Sequence, residues 1–182
     1  MQGREIIIGV SGGIAAFKSA ALVSQLVQAG AGVTVVTTAA AQRFVGDATF
    51  AALTGRPAAS QLFDPAYPLG AHITIARRAE LLCIAPASAD MMAKMALGLA
   101  DDLLSTLYLA FTGTVLVAPA MNREMWSKPA VQRNVQQLEE DGVHFIGPDS
   151  GWLSCREAGS GRMASPEDLF QAIAERLKTP DS

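Results

Sequence analysis

The stretch "REIIIGVSGGIAAFKSAALVSQLVQAG" (Arg4–Gly30) sets the fold. Its first seven residues, Arg4–Val10, form a short run rich in β-branched residues, the composition of a buried strand. A glycine pair follows, Gly12 and Gly13, and then a helical pattern, from Gly13, that stops at Gly30. The same order recurs outward from there. Further strands are read at "GVTVVTT" (Gly32–Thr38), "AELLCIAPAS" (Ala79–Ser88), "TVLVAPA" (Thr114–Ala120) and "VHFIG" (Val143–Gly147). Between them lie short helical pieces in "AAQRFV" and "DATFAALTG" and a long helical region, Ala89–Phe111. Another helix runs from Lys128 to Gly142, with Ser127 expected as its cap. The last helix opens at "SPEDL", where Ser165 suits the N-cap, Pro166 the first turn, and Glu167 and Asp168 the positive helix end.

Strands separated by helices require parallel crossovers, so the chain is predicted to be α/β with a doubly wound parallel sheet, a Rossmann-like or flavodoxin-like three-layer sandwich. At 182 residues it is one domain, 1–182. Ligands of such a fold sit at the carboxyl ends of the strands, in the loops after Val10, Val36, Ala85, Ala118 and Ile146. Two long irregular stretches are predicted, Gly55–His72 and Gly147–Ser165, and loops of that length in a compact domain commonly carry function.

Composition narrows the classes. The chain is 50% hydrophobic and only 17% charged, which suits a sheet covered on both faces and an oligomer with apolar interfaces. A net charge of -3 favours neither nucleic acid nor an anionic membrane. No apolar run approaches the ~20 residues of a spanning helix, and the N-terminus enters a strand without a signal pattern, so a cytoplasmic location is expected. Two cysteines, Cys83 and Cys155, make no disulfide framework, and no His/Cys spacing suits a metal.

The loops offer candidate chemistry. Gly12 and Gly13 let backbone N–H groups approach a phosphate at a helix start, and serve equally well as a tight turn. The motif is neither G-x-G-x-x-G nor a Walker loop. The second strand ends in Thr37 and Thr38 rather than a ribose-binding acid, which favours a mononucleotide over NAD. Ser88 and Asp90 lie at another helix start, where capping and ligand contact can coexist. His72 is expected in a loop beside the third strand, able to move protons near neutral pH. His144 reads as structural and Cys83 as a core thiol. Cys155, in a Gly-rich loop, is placed where a reactive thiol belongs. "PAMNREMW" (Pro119–Trp126) sets an amide, Asn122, between methionines at the end of a buried strand.

"GVSGGIAAFK", "APASAD", "PAMNREMW" and "SCREAGSGRM", in this order and spacing, resemble the flavin-dependent cysteine decarboxylases over about Arg4–Leu177. The resemblance implies bound FMN, with its phosphate at Gly12, Gly13, Ile14 and Thr38 and further contacts at Ser88, Ala89, Asp90, Met91 and Ala120. It implies three catalytic residues: His72 as base, Asn122 as ligand of the substrate carboxylate and Cys155 as proton donor. Met125, Arg156, Arg162 and Met163 join Asn122 in holding substrate, with residues 147–165 as a flap. The implied substrate is 4'-phosphopantothenoylcysteine, decarboxylated to 4'-phosphopantetheine in coenzyme A biosynthesis. The implied route oxidises the cysteinyl unit to a thioaldehyde, loses CO2 to an enethiolate, then protonates and reduces it, with no NAD and no metal. The family assembles as trimers or dodecamers of trimers with flavin sites between subunits. A lantibiotic-type peptidyl-cysteine decarboxylase shares the flavin and Asn122 motifs. A flavin prenyltransferase shares the fold but not "PAMNREMW" or the Cys155 segment. A phosphatase-inhibitor relative would carry acidic extensions.

Two departures stand out. Ser154-Cys155-Arg156 replaces the family's Ala-Cys-Gly, and Asp90 stands where many relatives have Asn. The chain ends at Ser182, short of the ligase domain fused in many bacterial relatives, so a separate protein is expected to make the substrate.

Overall fold

The computed structural model describes residues 1–152 and 158–178. Five parallel strands form the central sheet: β1 (Glu5–Val10), β2 (Gly32–Thr37), β3 (Leu81–Ala87), β4 (Thr114–Pro119) and β5 (His144–Phe145), in the order β2-β1-β3-β4-β5. This is the doubly wound arrangement of the flavodoxin type, whose order reverses between β1 and β3. β3 is buried at all seven positions, and Ile6, Ile7 and Ile8 of β1 are fully buried, as continuous apolar runs in a two-sided sheet require.

Helices cover both faces. One side holds α1 (Ala16–Gln28), α2 (Asp47–Thr54) and the last helix, α8 (Pro166–Arg176), around Leu22, Leu26, Phe50 and Ile173. On the other are α3 (Ala71–Arg78), α4 (Ala89–Leu97), α5 (Leu103–Ala110) and α7 (Pro129–Glu140), around Ile75, Met92, Leu104 and Leu138. A single turn, α6 (Arg123–Trp126), follows β4. Among the described residues no helix is long and apolar enough to cross a membrane.

The structure corrects several expectations. The helical region after β3 is two helices: Gly98 adopts φ 67 and ends α4, and Asp102 starts α5 with a capping box. α1 begins at Ala16, past the glycine turn. The fifth strand is only two residues long. Ser127 does not cap α7, whose N-cap is Lys128; Ser127 closes α6 by donating its hydroxyl to the Glu124 carbonyl at 3.2 Å. The described residues of the stretch Gly147–Ser165 include an antiparallel pair, β6 (Asp149–Trp152) and β7 (Ala158–Arg162), built from too many glycines and serines for a strand pattern to show. His72 lies not in a loop but in the first turn of α3. No side chain caps that helix; its N-cap is Gly70 at φ 92, and the stop-start signals that mark helices in sequence are missing.

Candidate active site

The order reversal opens the sheet at the carboxyl ends of β1 and β3, and there Ser11 ties the two loops together. Its hydroxyl donates to the Pro86 carbonyl and accepts the Ser88 N–H, both at 2.8 Å, while its own N–H also reaches Pro86 at 3.2 Å. Ser11 is buried, so the alternative is unpaired backbone at the rim of the core. Ser88 in turn caps α4 by accepting the Met91 N–H at 3.2 Å. Sequence reasoning passed over Ser11, although its place directly after a buried strand was the signal.

The glycine turn sits on this staple. A Cβ on Gly12 would come within 2.5 Å of the Ala40 methyl, so Gly12 is required by the close approach of the loop after β2. A Cβ on Gly13 would meet no protein atom within 4 Å. No acceptor among the described residues takes the N–H groups of Gly12, Gly13 or Ile14. This cradle of free N–H groups at a helix start has the donor set for a phosphate. The Thr38 hydroxyl accepts the Ala41 N–H at 3.2 Å, and no acceptor among the described residues takes its proton. Thr37 differs: it is buried and donates to Asp47 at 3.0 Å.

Two clefts flank the glycine turn. One, of about 550 Å³, is lined by Gly12, Thr38, Ser88, Ala89, Asp90 and Met91, with Met125 at its far wall. The other, of about 510 Å³, is lined by Gly13, Ile14, Ala120, Asn122, Arg162 and Met163. The residues expected at the cofactor thus divide between the clefts, and four of the five substrate residues line one or the other. Ala120 donates its N–H to the Ala87 carbonyl at 3.0 Å, and no donor among the described residues takes its own carbonyl. A third cavity, about 590 Å³, lies at the amino ends of β4 and β5 and holds none of the expected residues.

Asn122 is the N-cap of α6. Its Oδ1 accepts the Met125 N–H at 2.8 Å, and no group among the described residues takes its NH2. Asn122 is exposed, and Met125 beside it is 44% exposed. β7 leans on this turn, with Met121 N–H donating to Gly161 at 2.9 Å. A Cβ on Gly161, at φ 126, would stand 2.3 Å from the Met121 carbonyl oxygen.

Asp90 is exposed at the first turn of α4, 3.5 Å from Lys94. Lys94 also reaches Asp101 at 2.9 Å and Asp102 at 3.2 Å, and these carboxylates, Asp101 foremost, hold its ammonium well above the usual lysine range. Lys94 was missed in the sequence, though its i,i+4 spacing from Asp90 was visible.

His72 lines neither cleft. Its Nδ1 is buried without a partner among the described residues, and its ring packs over Gly70. His144 lies on β5, its pKa lowered by burial and then by Arg176. Cys83 is fully buried in β3, and burial pushes its thiol up to about 12, as a core thiol should be. Cys155 and Arg156 lie outside the described residues, between β6 and β7.

Comparison with known proteins gives the lineage. The chain matches the Flavoprotein family over residues 1–178. It is 42% identical over 176 residues to the coenzyme A biosynthesis bifunctional protein CoaBC of Haemophilus influenzae, covering 96% of this chain and 44% of that protein. The chain therefore spans under half the length of this curated relative. The FMN-dependent cysteine decarboxylase SpaF has a structure similar to this one with a TM-score of 0.85 and 32% identity, covering 97% of this chain and 96% of SpaF. A PPC decarboxylase Cys-to-Ser variant complexed with pantothenoylaminoethenethiol gives 0.87 and 28%, covering 97% and 99%. With the match running from the first strand to the last helix, the chain belongs to the Flavoprotein family.

Proposed function

We propose that this chain is an FMN-dependent decarboxylase that converts 4'-phosphopantothenoylcysteine to 4'-phosphopantetheine. One observation carries the reading: the phosphate-type cradle at Gly12–Ile14 stands between two clefts, and the unspent amide of Asn122 faces one of them. The similarity to CoaBC and to a PPC decarboxylase supports this substrate over others.

The donor set fits FMN, with Gly12, Gly13, Ile14 and Thr38 on its phosphate and Ser88, Ala89, Asp90, Met91 and Ala120 along it. When bound, FMN supplies the two-electron acceptor that the cysteinyl unit needs before CO2 can leave, and it returns the same electrons afterwards. Asn122 donates its NH2 to the substrate carboxylate and replaces part of its lost hydration. A neutral amide does this without holding the charge so tightly that CO2 cannot depart. His72 takes up the thiol proton. Cys155 delivers its Sγ proton to the carbon that lost CO2. The PPC decarboxylase variant, Cys replaced by Ser, is complexed with an enethiol, the kind of species that would accumulate in an enzyme short of that proton.

His72 lies away from both clefts, so in this reading it serves the site of a neighbouring copy. Phe63 and Leu69, just ahead of α3, are 90% and 74% exposed, and Phe17 at the cleft mouth is 61% exposed; apolar surface of this kind suits burial in a trimer or a dodecamer of trimers. A water-soluble phosphorylated substrate fits a cytoplasmic location. A peptide ending in cysteine is the second reading, favoured by the likeness to SpaF.

Purified protein should be yellow and release FMN, not FAD, on denaturation. Carbon dioxide release should follow addition of 4'-phosphopantothenoylcysteine and not of a Cys-ended peptide. The opposite preference would replace this reading with the second, and a colourless protein that cannot be reconstituted with FMN would end both.

A further inference from the structure

Two cations face the Asn122 cleft with no ion-pair partner among the described residues. Lys18, one turn into α1, and Arg162, at the end of β7, both line it. Lys18 donates to the Met163 carbonyl at 2.8 Å, which uses one of the three donors of an ammonium. No carboxylate among the described residues lies within ion-pair distance of either cation. Burial, followed by the charge of Arg162, lowers the Lys18 pKa, and the charges of Asp149 and Glu167 oppose the shift. Lys94, on the other cleft, shows the contrast: there three carboxylates already balance the charge.

A half-buried lysine beside an arginine is unfavourable unless something anionic sits with them. The Arg162 guanidinium reaches the neighbouring strand, although the residue as a whole is exposed. It lies against Gly151, where a Cβ would come within 3.1 Å of Nη1 and 3.3 Å of Cζ. A side chain on β6 would push it out of position. Lys18 is anchored by its carbonyl contact. The two donors come from different elements, helix and hairpin, and line the same cleft as Asn122.

We propose that Lys18 and Arg162 form the subsite for the terminal phosphate monoester of the substrate. This rests on the function proposed above and deepens it, since it names the groups that select a phosphorylated substrate. A dianionic phosphate offers enough acceptors for the two unspent Lys18 donors and a paired contact from Arg162. The cleft volume, about 510 Å³, suits a small molecule with a carboxylate at one end and a phosphate at the other. The flavin carries a phosphate too, and the test must tell the two apart.

The test is calorimetric titration of the FMN-loaded protein with 4'-phosphopantetheine and with pantetheine, which lacks the phosphate. Wild type should bind the phosphorylated ligand more tightly. Lys18→Met and Arg162→Met should each weaken that binding about tenfold or more, while pantetheine binding stays within about twofold. Lys18→Arg should restore most of the loss, and every variant should keep its flavin. Equal weakening toward both ligands overturns the proposal. Loss of flavin from Lys18→Met also overturns it, by giving the cations to the cofactor. Wild type that binds both ligands equally removes the subsite but leaves the decarboxylase reading standing. Wild type that binds neither, while yellow, removes both.

Discussion

The side-chain oxygen of Asn122 accepts the Met125 N–H at 2.8 Å, so the cap fixes which end of the amide is left for a ligand. Capping and carboxylate binding do not compete, because they use opposite ends of one side chain. Asn122→Asp therefore keeps the cap, loses the donor and sets a negative charge against the substrate carboxylate. Asn122→Ala loses both. Both variants should retain FMN, and turnover should fall tenfold or more in each, as expected for a lost charged hydrogen bond of about 1.5–3 kcal/mol. Only Asn122→Ala should also lose about 1 kcal/mol of stability in a thermal melt. If Asn122→Asp turns over like wild type, the amide does not hold the carboxylate.

Ser11 is tested by its loss. Ser11→Ala removes the donor to Pro86 and the acceptor for Ser88 N–H at once. The half-buried N–H left behind costs about 1–3 kcal/mol, a drop of several degrees in Tm for a chain of this size. The same change loosens the start of α4, where Ser88 and Met91 flank the cofactor cleft. Flavin fluorescence should show weaker FMN retention. A melt shifted without any change in flavin affinity would separate the staple from the site.

The strands and the glycine turn were legible because their signals are local. All five strands of the central sheet were read from the sequence, the fifth longer than its two residues, and Ser165 marked its helix correctly. α3 was hidden because its N-cap is a glycine with no side chain to announce it. The hairpin β6–β7 was hidden for another reason: Gly159 and Gly161 are chosen for what they allow to approach, not for strand propensity. A Cβ at Gly159 would come within 2.8 Å of Arg123, and one at Gly161 within 2.3 Å of Met121. Contacts of this kind, like the separation of the two clefts and the meeting of Lys18 and Arg162 on one cleft, are long-range facts that no window of sequence contains.

The two glycines Gly13 and Gly161 should therefore fail in different ways. Gly13→Ala meets no protein atom, so the fold should melt near wild type while FMN binding weakens, because the methyl group enters ligand space. Gly161→Ala meets backbone at a φ that side chains rarely adopt, so β7 must move off the Asn122 turn. It should keep FMN and lose turnover. Reversed outcomes would mean that the cradle serves the fold and the hairpin serves the flavin.

The two cysteines should separate by pH and by chemistry. Burial raises the Cys83 thiol from 9.0 to about 12, so the folded protein keeps that proton when the unfolded chain has lost it. Stability from this source is complete below about pH 9 and declines as pH rises toward about 12, since there the unfolded state binds fewer protons. Cys83→Ala should flatten that alkaline limb in denaturant titrations and leave turnover unchanged. Cys155→Ser should do the converse. A hydroxyl is a far weaker acid than a thiol, so oxidation and loss of CO2 proceed but the last protonation stalls. In single turnovers an enethiol product should accumulate by mass while flavin absorbance stays low. Normal 4'-phosphopantetheine at the wild-type rate would remove Cys155 as the donor.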